Sequence, residues 1–96
     1  MDIEKKLEGS KLTVKLTGRL DTVTAPQLEA ELGLDGVEEV VFEISGLDYV
    51  SSAGLRLFLS VQKTLSKRGG MTISGATEVV REVFEMTGLA DIFNLV

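Results

Sequence analysis

Asp48-Tyr49-Val50-Ser51-Ser52-Ala53-Gly54-Leu55-Arg56-Leu57-Phe58-Leu59 is the stretch whose reading decides how this chain folds. The apolar run Val40-Val41-Phe42-Glu43-Ile44 ends just before it, and an apolar pattern of helical period begins inside it, so it reads as a strand-to-helix loop. Loops at the carboxyl ends of strands are where α/β folds place function, because the sheet holds a few exposed backbone and side-chain groups rigidly there. Ser51 and Ser52 sit at that point. Either hydroxyl suits an N-cap, which accepts a hydrogen bond from the otherwise orphaned N–H groups of the first helical turn. Capping does not require two serines, and the small residues Ala53 and Gly54 let another molecule's backbone come close. A phosphoryl group here would meet free N–H groups and the positive end of a helix dipole.

Outward from this loop, a helix is predicted from about Ser52 to Lys67. It presents Leu55, Phe58, Leu59, Val61 and Leu65 to a core, with Arg56, Lys63 and Lys67 on the polar side. Arg68-Gly69-Gly70 ends it, and Met71-Thr72-Ile73-Ser74 is a short strand, parallel to the preceding one because a helical crossover joins them. A further helix from Thr77 carries Val79, Val80, Val83, Phe84 and Met86, Gly88 breaks it, and Leu89 to Phe93 makes a last short helix. The apolar C-terminal residues Ile92, Phe93, Leu95 and Val96 read as core. In the other direction, Val37 to Ile44 is a central strand whose continuously apolar middle suits cover on both faces.

Thr24-Ala25-Pro26-Gln27 has capping-box spacing and opens a helix to about Leu32, stopped by Gly33 and Asp35-Gly36. Met1 to Gly9 and the alternating Leu12-Val14-Leu16 form a hairpin whose second strand ends at Gly18. Asp21 then lies in a second strand-to-helix loop, where it either caps locally or helps orient the Ser51 and Ser52 loop. The order β-β-α-β-α-β-α-α describes an α/β fold, one domain over residues 1–96, in which a mixed sheet carries its helices largely on one face.

Ninety-six residues with 44% hydrophobic and 26% charged content make a small globular domain rather than a disordered chain. Absence of cysteine excludes disulfides and thiolate metal sites and permits a reducing compartment. No apolar run reaches the length of a membrane span, and Met1-Asp2-Ile3-Glu4 opens with acid where a signal peptide carries base, so a cytoplasmic protein without membrane insertion is expected. The net charge of −5 argues against nucleic acid. From Leu20 to Leu55 there are eight acidic residues and no lysine or arginine, whereas Tyr49 to Thr77 carries Arg56, Lys63, Lys67 and Arg68 and no acid. Such blocks serve solubility, or else an interface whose sign pattern orients a partner.

Without histidine there is no Ser-His-Asp triad, no histidine-bound metal and no imidazole base. The first lysine after Ser52 is Lys63, about three helical turns away, and the glycines form no nucleotide-cradling pattern. The chain is expected to be a binding module without cofactor or catalysis.

Ser51-Ser52-Ala53-Gly54-Leu55-Arg56 after a strand and the lead-in Leu47-Asp48-Tyr49-Val50 resembles the signature of bacterial anti-sigma factor antagonists, the STAS domain family. Gly18-Arg19-Leu20-Asp21 ahead of Ala25-Pro26-Gln27-Leu28, and Gly88-Leu89 through Phe93, agree with it, so the resemblance covers nearly the whole chain. It implies a four-stranded sheet with helices packed against it. It also implies a loop serine phosphorylated by an anti-sigma factor that is itself a serine kinase of GHKL type, with the kinase's ATP and magnesium belonging to the partner. A phosphatase would reverse the modification.

By position relative to Ala53 and Gly54, Ser52 matches the modified serine, with Ser51 second, occupying the place where clear phosphoswitch members carry aspartate. The expected partner surface is Asp21, Asp48, Tyr49, Ser51, Ser52, Ala53, Gly54, Leu55 and Arg56, on a domain that is monomeric when free. The unmodified form would bind the anti-sigma factor and so free a sigma factor. The alternative that the resemblance offers is an unphosphorylated subunit docking on the ATPase of a bacterial lipid-transport ABC system.

Overall fold

Period-two and helical patterning alternate along the chain and give nine elements, seen in a computed structural model that describes residues 1–96. They are β1 (Asp2–Glu8), β2 (Lys11–Leu20), α1 (Thr24–Glu31), β3 (Glu39–Val50), α2 (Ser52–Leu65), β4 (Gly70–Ser74), α3 (Glu78–Met86), a 3-10 turn (Leu89–Asp91) and β5 (Asn94–Leu95). The strands lie in the order β1-β2-β3-β4-β5; the β1–β2 hairpin is antiparallel and the other pairs are parallel. The sheet therefore has five strands where the resemblance implies four. The extra one is a two-residue edge beside β4, continued by the Val96 N–H donating to the Ile73 carbonyl at 2.9 Å.

Burial follows the strand period. Leu12, Val14, Leu16 and Leu20 of β2 and Val40, Phe42, Ile44, Leu47 and Val50 of β3 are buried beneath the helices. Their alternates Thr13, Val41 and Glu43 are only half-buried. So β3 is central, yet covered on one face, and Val41 lies on the open face in register with Thr13 and Thr72. The apolar run had one member fewer to bury than its composition suggests.

The core is knit by the four phenylalanines. Phe58 of α2 stands 4.9 Å from Phe42 between ring centroids, 6.4 Å from Phe84 and 6.2 Å from Phe93, in tilted or edge-on geometries that aromatic quadrupoles favour. On α2, Leu57 is buried and Leu59 only half-buried, and the helix stops at Leu65 rather than Lys67. Only Val80 and Phe84 of α3 are fully buried, while Val79 and Met86 are exposed. At the C-terminus Phe93 belongs to the core, but Ile92 and Val96 do not. No helix is long and apolar enough to cross a membrane.

Two strands run past their expected ends, and both extensions build the site. Gly18 lies inside β2, at φ 109°, where the register with β3 shifts. β3 continues from Ile44 through Ser45-Gly46 to Val50. Between Lys15↔Glu43 and Thr17↔Gly46, and again between Gly18↔Leu47 and Arg19↔Tyr49, β3 carries one residue more than β2. These are β-bulges, which bend a strand and re-aim its side chains. A side chain at Gly46 would meet the Thr17 hydroxyl at 2.9 Å and the Leu16 carbonyl at 3.1 Å, so the close approach of the strands there requires glycine.

Candidate functional site

Leu20 and Val50 end β2 and β3 as register partners, so the two strand-to-helix junctions lie side by side. The Ser51 N–H donates to the Leu20 carbonyl at 2.8 Å and ties them together. At the first junction Asp21 caps locally. Its backbone carbonyl accepts from Ala25 N–H at 2.8 Å, and its Oδ1 accepts from the Val23 and Thr24 N–H groups, each at 3.0 Å. The expected capping box is therefore not what starts α1. Thr24 is already its first residue, and its hydroxyl donates to the Arg19 carbonyl at 2.7 Å while accepting from Asp21 N–H at 2.9 Å. The Thr24 N–H bond above all, against a burial that opposes it, with Val23, the Thr24 hydroxyl and Arg19 adding to it, holds the Asp21 carboxyl below its ordinary value of 3.8.

The second junction has the same frame and a weaker cap. The Ser51 carbonyl accepts from Leu55 N–H at 3.0 Å, and its hydroxyl accepts from Gly54 N–H at a long 3.4 Å. Ser51 is thus the N-cap, and Ser52 is the first residue of α2, exposed and outside the cap. The N–H groups of Ser52 and Ala53 belong to the first turn, where no intrahelical acceptor exists. Gly54 is buried against β2: a Cβ there would stand 2.7 Å from Leu20 Cγ and 3.0 Å from Val50 Cγ1. That contact lets the start of α2 lie flat on the sheet.

Around Ser52 the structure assembles Asp48, Tyr49, Ser51, Ala53 and Arg56 as exposed or half-buried groups. Gly54 and Leu55 are buried and serve packing beneath this surface. Asp48 is the bulged residue of β3, which is why it and Tyr49 are exposed in succession before Val50 returns to the core. Arg19, absent from the expected set, completes the surface: its guanidinium lies 4.3 Å over the centre of the Tyr49 ring and its Nε 3.8 Å from Asp21 Oδ2. The signal for it was the parallel pairing of Arg19 with Tyr49, which no single strand reveals. Beside Ser52 a groove of about 360 Å³ runs between α1 and α2, lined among others by Thr22, Ala25, Pro26, Glu29, Ala53 and Arg56.

The geometry can present one free hydroxyl on a rigid helix start, flanked by guanidinium groups and carboxylates, to a docking protein. Comparison with known proteins gives this arrangement a lineage. The family model of the STAS domain matches residues 2–96. Over 92 residues the chain is 41% identical to BtrV of Bordetella bronchiseptica, named as a proposed anti-sigma factor antagonist, covering 92% of this chain and 78% of that protein. It is 30% identical to the anti-sigma-B factor antagonist of Staphylococcus aureus, covering 99% of this chain and 92% of the relative. Among solved structures, an anti-sigma factor antagonist from Mycobacterium paratuberculosis superposes with a TM-score of 0.87 at 26% identity, covering 98% of this chain and 83% of that one. Unphosphorylated SpoIIAA shares the fold with a TM-score of 0.84 at 20% identity, covering 99% and 88%. By its family match and its relatives, this chain belongs to the STAS domain family.

Proposed function

We propose that this chain is an anti-sigma factor antagonist switched by phosphorylation of Ser52. In its unmodified form it binds an anti-sigma factor with serine kinase activity and so frees a sigma factor. The observation that carries the reading is the division of labour at the α2 start, where Ser51 caps and Ser52 stands exposed outside the cap. Phosphoryl transfer forms a bond from Ser52 Oγ to the γ-phosphorus of the partner's ATP, breaks the bond to ADP, and passes the hydroxyl proton to a base on the kinase. The product places about −1.5 to −2 charges among Asp48, Asp21 and the helix start. The first-turn N–H groups and the α2 dipole favour that charge locally, so the domain keeps its fold. A partner fitted to a neutral hydroxyl meets bulk and like charge, and leaves.

Arg19 stacked on Tyr49 gives the surface a preordered aromatic and cationic element, the residue types that dominate binding hot spots. A cytoplasmic setting follows from this reading, since both kinase and sigma factor work there. The relatives named as antagonists favour it over the transport subunit.

Incubation with ATP and the cognate kinase should add about 80 Da, one phosphoryl group, mapped to Ser52 and abolished by Ser52→Ala. Ser51→Ala should still accept it. Ser52→Asp should weaken binding about tenfold or more while Ser52→Ala binds as wild type. Equal affinity of Ser52→Asp and wild type would sink the assignment.

A further inference from the structure

The edge of the sheet farthest from β5 is β1, seven residues long and exposed along nearly its whole length. Such an edge leaves alternate N–H and C=O groups unpaired and is a template for another strand. Side chains that face the helices are set by the β1–β2 register: Ile3, Lys5 and Leu7 oppose Leu16, Val14 and Leu12. Leu7 is nevertheless 60% exposed, above a depression it shares with Lys5, Leu12, Glu31 and Gly33. Asp2, Glu4, Lys6 and Glu8 point to the open face.

We propose that β1 pairs with β1 of a second copy of this chain, antiparallel about a two-fold axis through Lys5, joining two five-stranded sheets edge to edge. The occupant is argued from the pattern of charge. In this register Glu4 lies opposite Lys6 of the second copy and Lys6 opposite its Glu4, while Ile3 and Leu7 meet its Leu7 and Ile3. Opposite-charge and apolar cross-strand pairs each favour pairing, and the apolar pairs cover the exposed Leu7 twice.

Lys5 would face its own mate across the axis, but its Nζ is drawn back to the Glu31 carbonyl at the end of α1, at 2.9 Å. Asp2 and Glu8 meet at the two solvent-exposed ends, where screening is strongest. Sliding by two residues toward the amino end keeps two attractive pairs, Asp2 against Lys6, but sets Glu4 against Glu4, places Ile3 opposite Lys5, leaves the exposed Leu7 uncovered and shortens the ladder to residues 2–6. Sliding in the other direction sets Glu4 against Glu8 and Lys6 against Lys6. Parallel pairing in register would place every charge against its like, and a shifted parallel ladder does not close on a two-fold axis. The cover of Leu7 by Ile3 and the full seven-residue ladder thus select the register through Lys5, and side-chain period two excludes odd shifts.

This pairing revises the expectation of a monomer and leaves the proposed switch untouched. Asp2 pairs with Thr17 near the site end of β2, so antiparallel association sends the two Ser52 loops to opposite ends of the joined sheet. Each copy would keep its own docking surface open.

The test is sedimentation equilibrium of the whole chain up to millimolar concentration, read beside hydrogen exchange of the β1 amides. A monomer–dimer equilibrium is expected, with β1 amides exchanging more slowly as concentration rises. Lys6→Glu should weaken dimerisation by at least about fivefold, because two attractive pairs become repulsive. Glu4→Lys with Lys6→Glu should restore it to within about twofold, since the pairs are merely reversed. In the register slid by two toward the amino end the swap would not rescue, because Lys6→Glu would still face Asp2 of the second copy. A chain monomeric at every concentration, a dimer indifferent to Lys6→Glu, or a failed rescue overturns the proposal.

Discussion

Two neighbouring strands, β2 and β3, turn into their helices by the same device. At each turn a polar residue directly after the strand accepts one hydrogen bond on its carbonyl from the residue four along and one on its side chain from the residue three along. At Asp21 one carboxylate oxygen takes two backbone donors at 3.0 Å, and the Thr24 hydroxyl is held beside it by the Asp21 N–H. At Ser51 the corresponding bond is stretched to 3.4 Å, and the next hydroxyl, Ser52, is left outside the cap. The first junction is a closed network and the second is an open one. Under the proposed function, a loop that is read by a partner and modified cannot spend its hydroxyl on its own backbone, and the stiff neighbour keeps it in place through the Ser51 to Leu20 bond.

The contact beneath both junctions carries the largest effects. Leu20, wholly buried, fills the space under Gly54. Leu20→Ala should cost about 2–5 kcal/mol, as large-to-small changes in cores do. Gly54→Ala should cost about 1–3 kcal/mol from overpacking even though alanine is the better helix former, because Leu20 and Val50 have no room to retreat. The two together should be less destabilising than their sum, the new methyl occupying part of the space that Leu20 leaves. Denaturant titration of the four proteins measures this. Strict additivity would show that α2 starts independently of β2, and the linkage between the junctions would be gone.

That linkage is what the sequence hides. Element types and order were legible, since β2 alternates cleanly and α2 repeats at helical period. The serine pair was legible as a site because a strand end, two hydroxyls and two small residues fall together. Hidden were the two bulges: Ser45-Gly46 reads as a turn locally, and only the pairing with Thr17 and Gly18 shows the strand passing through. Arg19 stands in the motif Gly18-Arg19-Leu20-Asp21, but its place on the surface is hidden for the same reason, as its partner Tyr49 lies 30 positions away by register. Gly54 and Leu55 fall in the expected partner surface by their nearness to the serines, although Leu55 also belongs to the core-facing stripe of α2, and the structure buries both. The exposure of Val79 and Met86 also depends on helix placement, which hydrophobicity alone does not give.

The smallest expected effects separate the two caps themselves. Ser51→Ala should cost about 0.5–1 kcal/mol, the low part of the capping range, because its bond is long; in a domain of this size that is a melting shift of a few degrees. Such a change is neutral in charge, so it should be the same at pH 7 and pH 3. Asp21 behaves otherwise. Its carboxyl is held below its ordinary value in the folded chain, so in that pH range the folded chain binds fewer protons at Asp21 than the unfolded chain does. The stability it adds is therefore fully present above the unfolded value of about 3.9 and is lost as pH falls through the lowered folded one.

Asparagine caps about as well as aspartate but does not titrate. Asp21→Asn should accordingly melt below wild type at pH 7, and the gap should close on acidification. The acid sensitivity that survives in the variant belongs in part to Glu43, whose carboxyl is held low first by Ser45. Thermal melts from pH 7 to pH 2 decide it. A gap that stays constant with pH would mean that the Asp21 charge is not what closes the first junction, and the contrast with Ser51 would then rest on hydrogen-bond number alone.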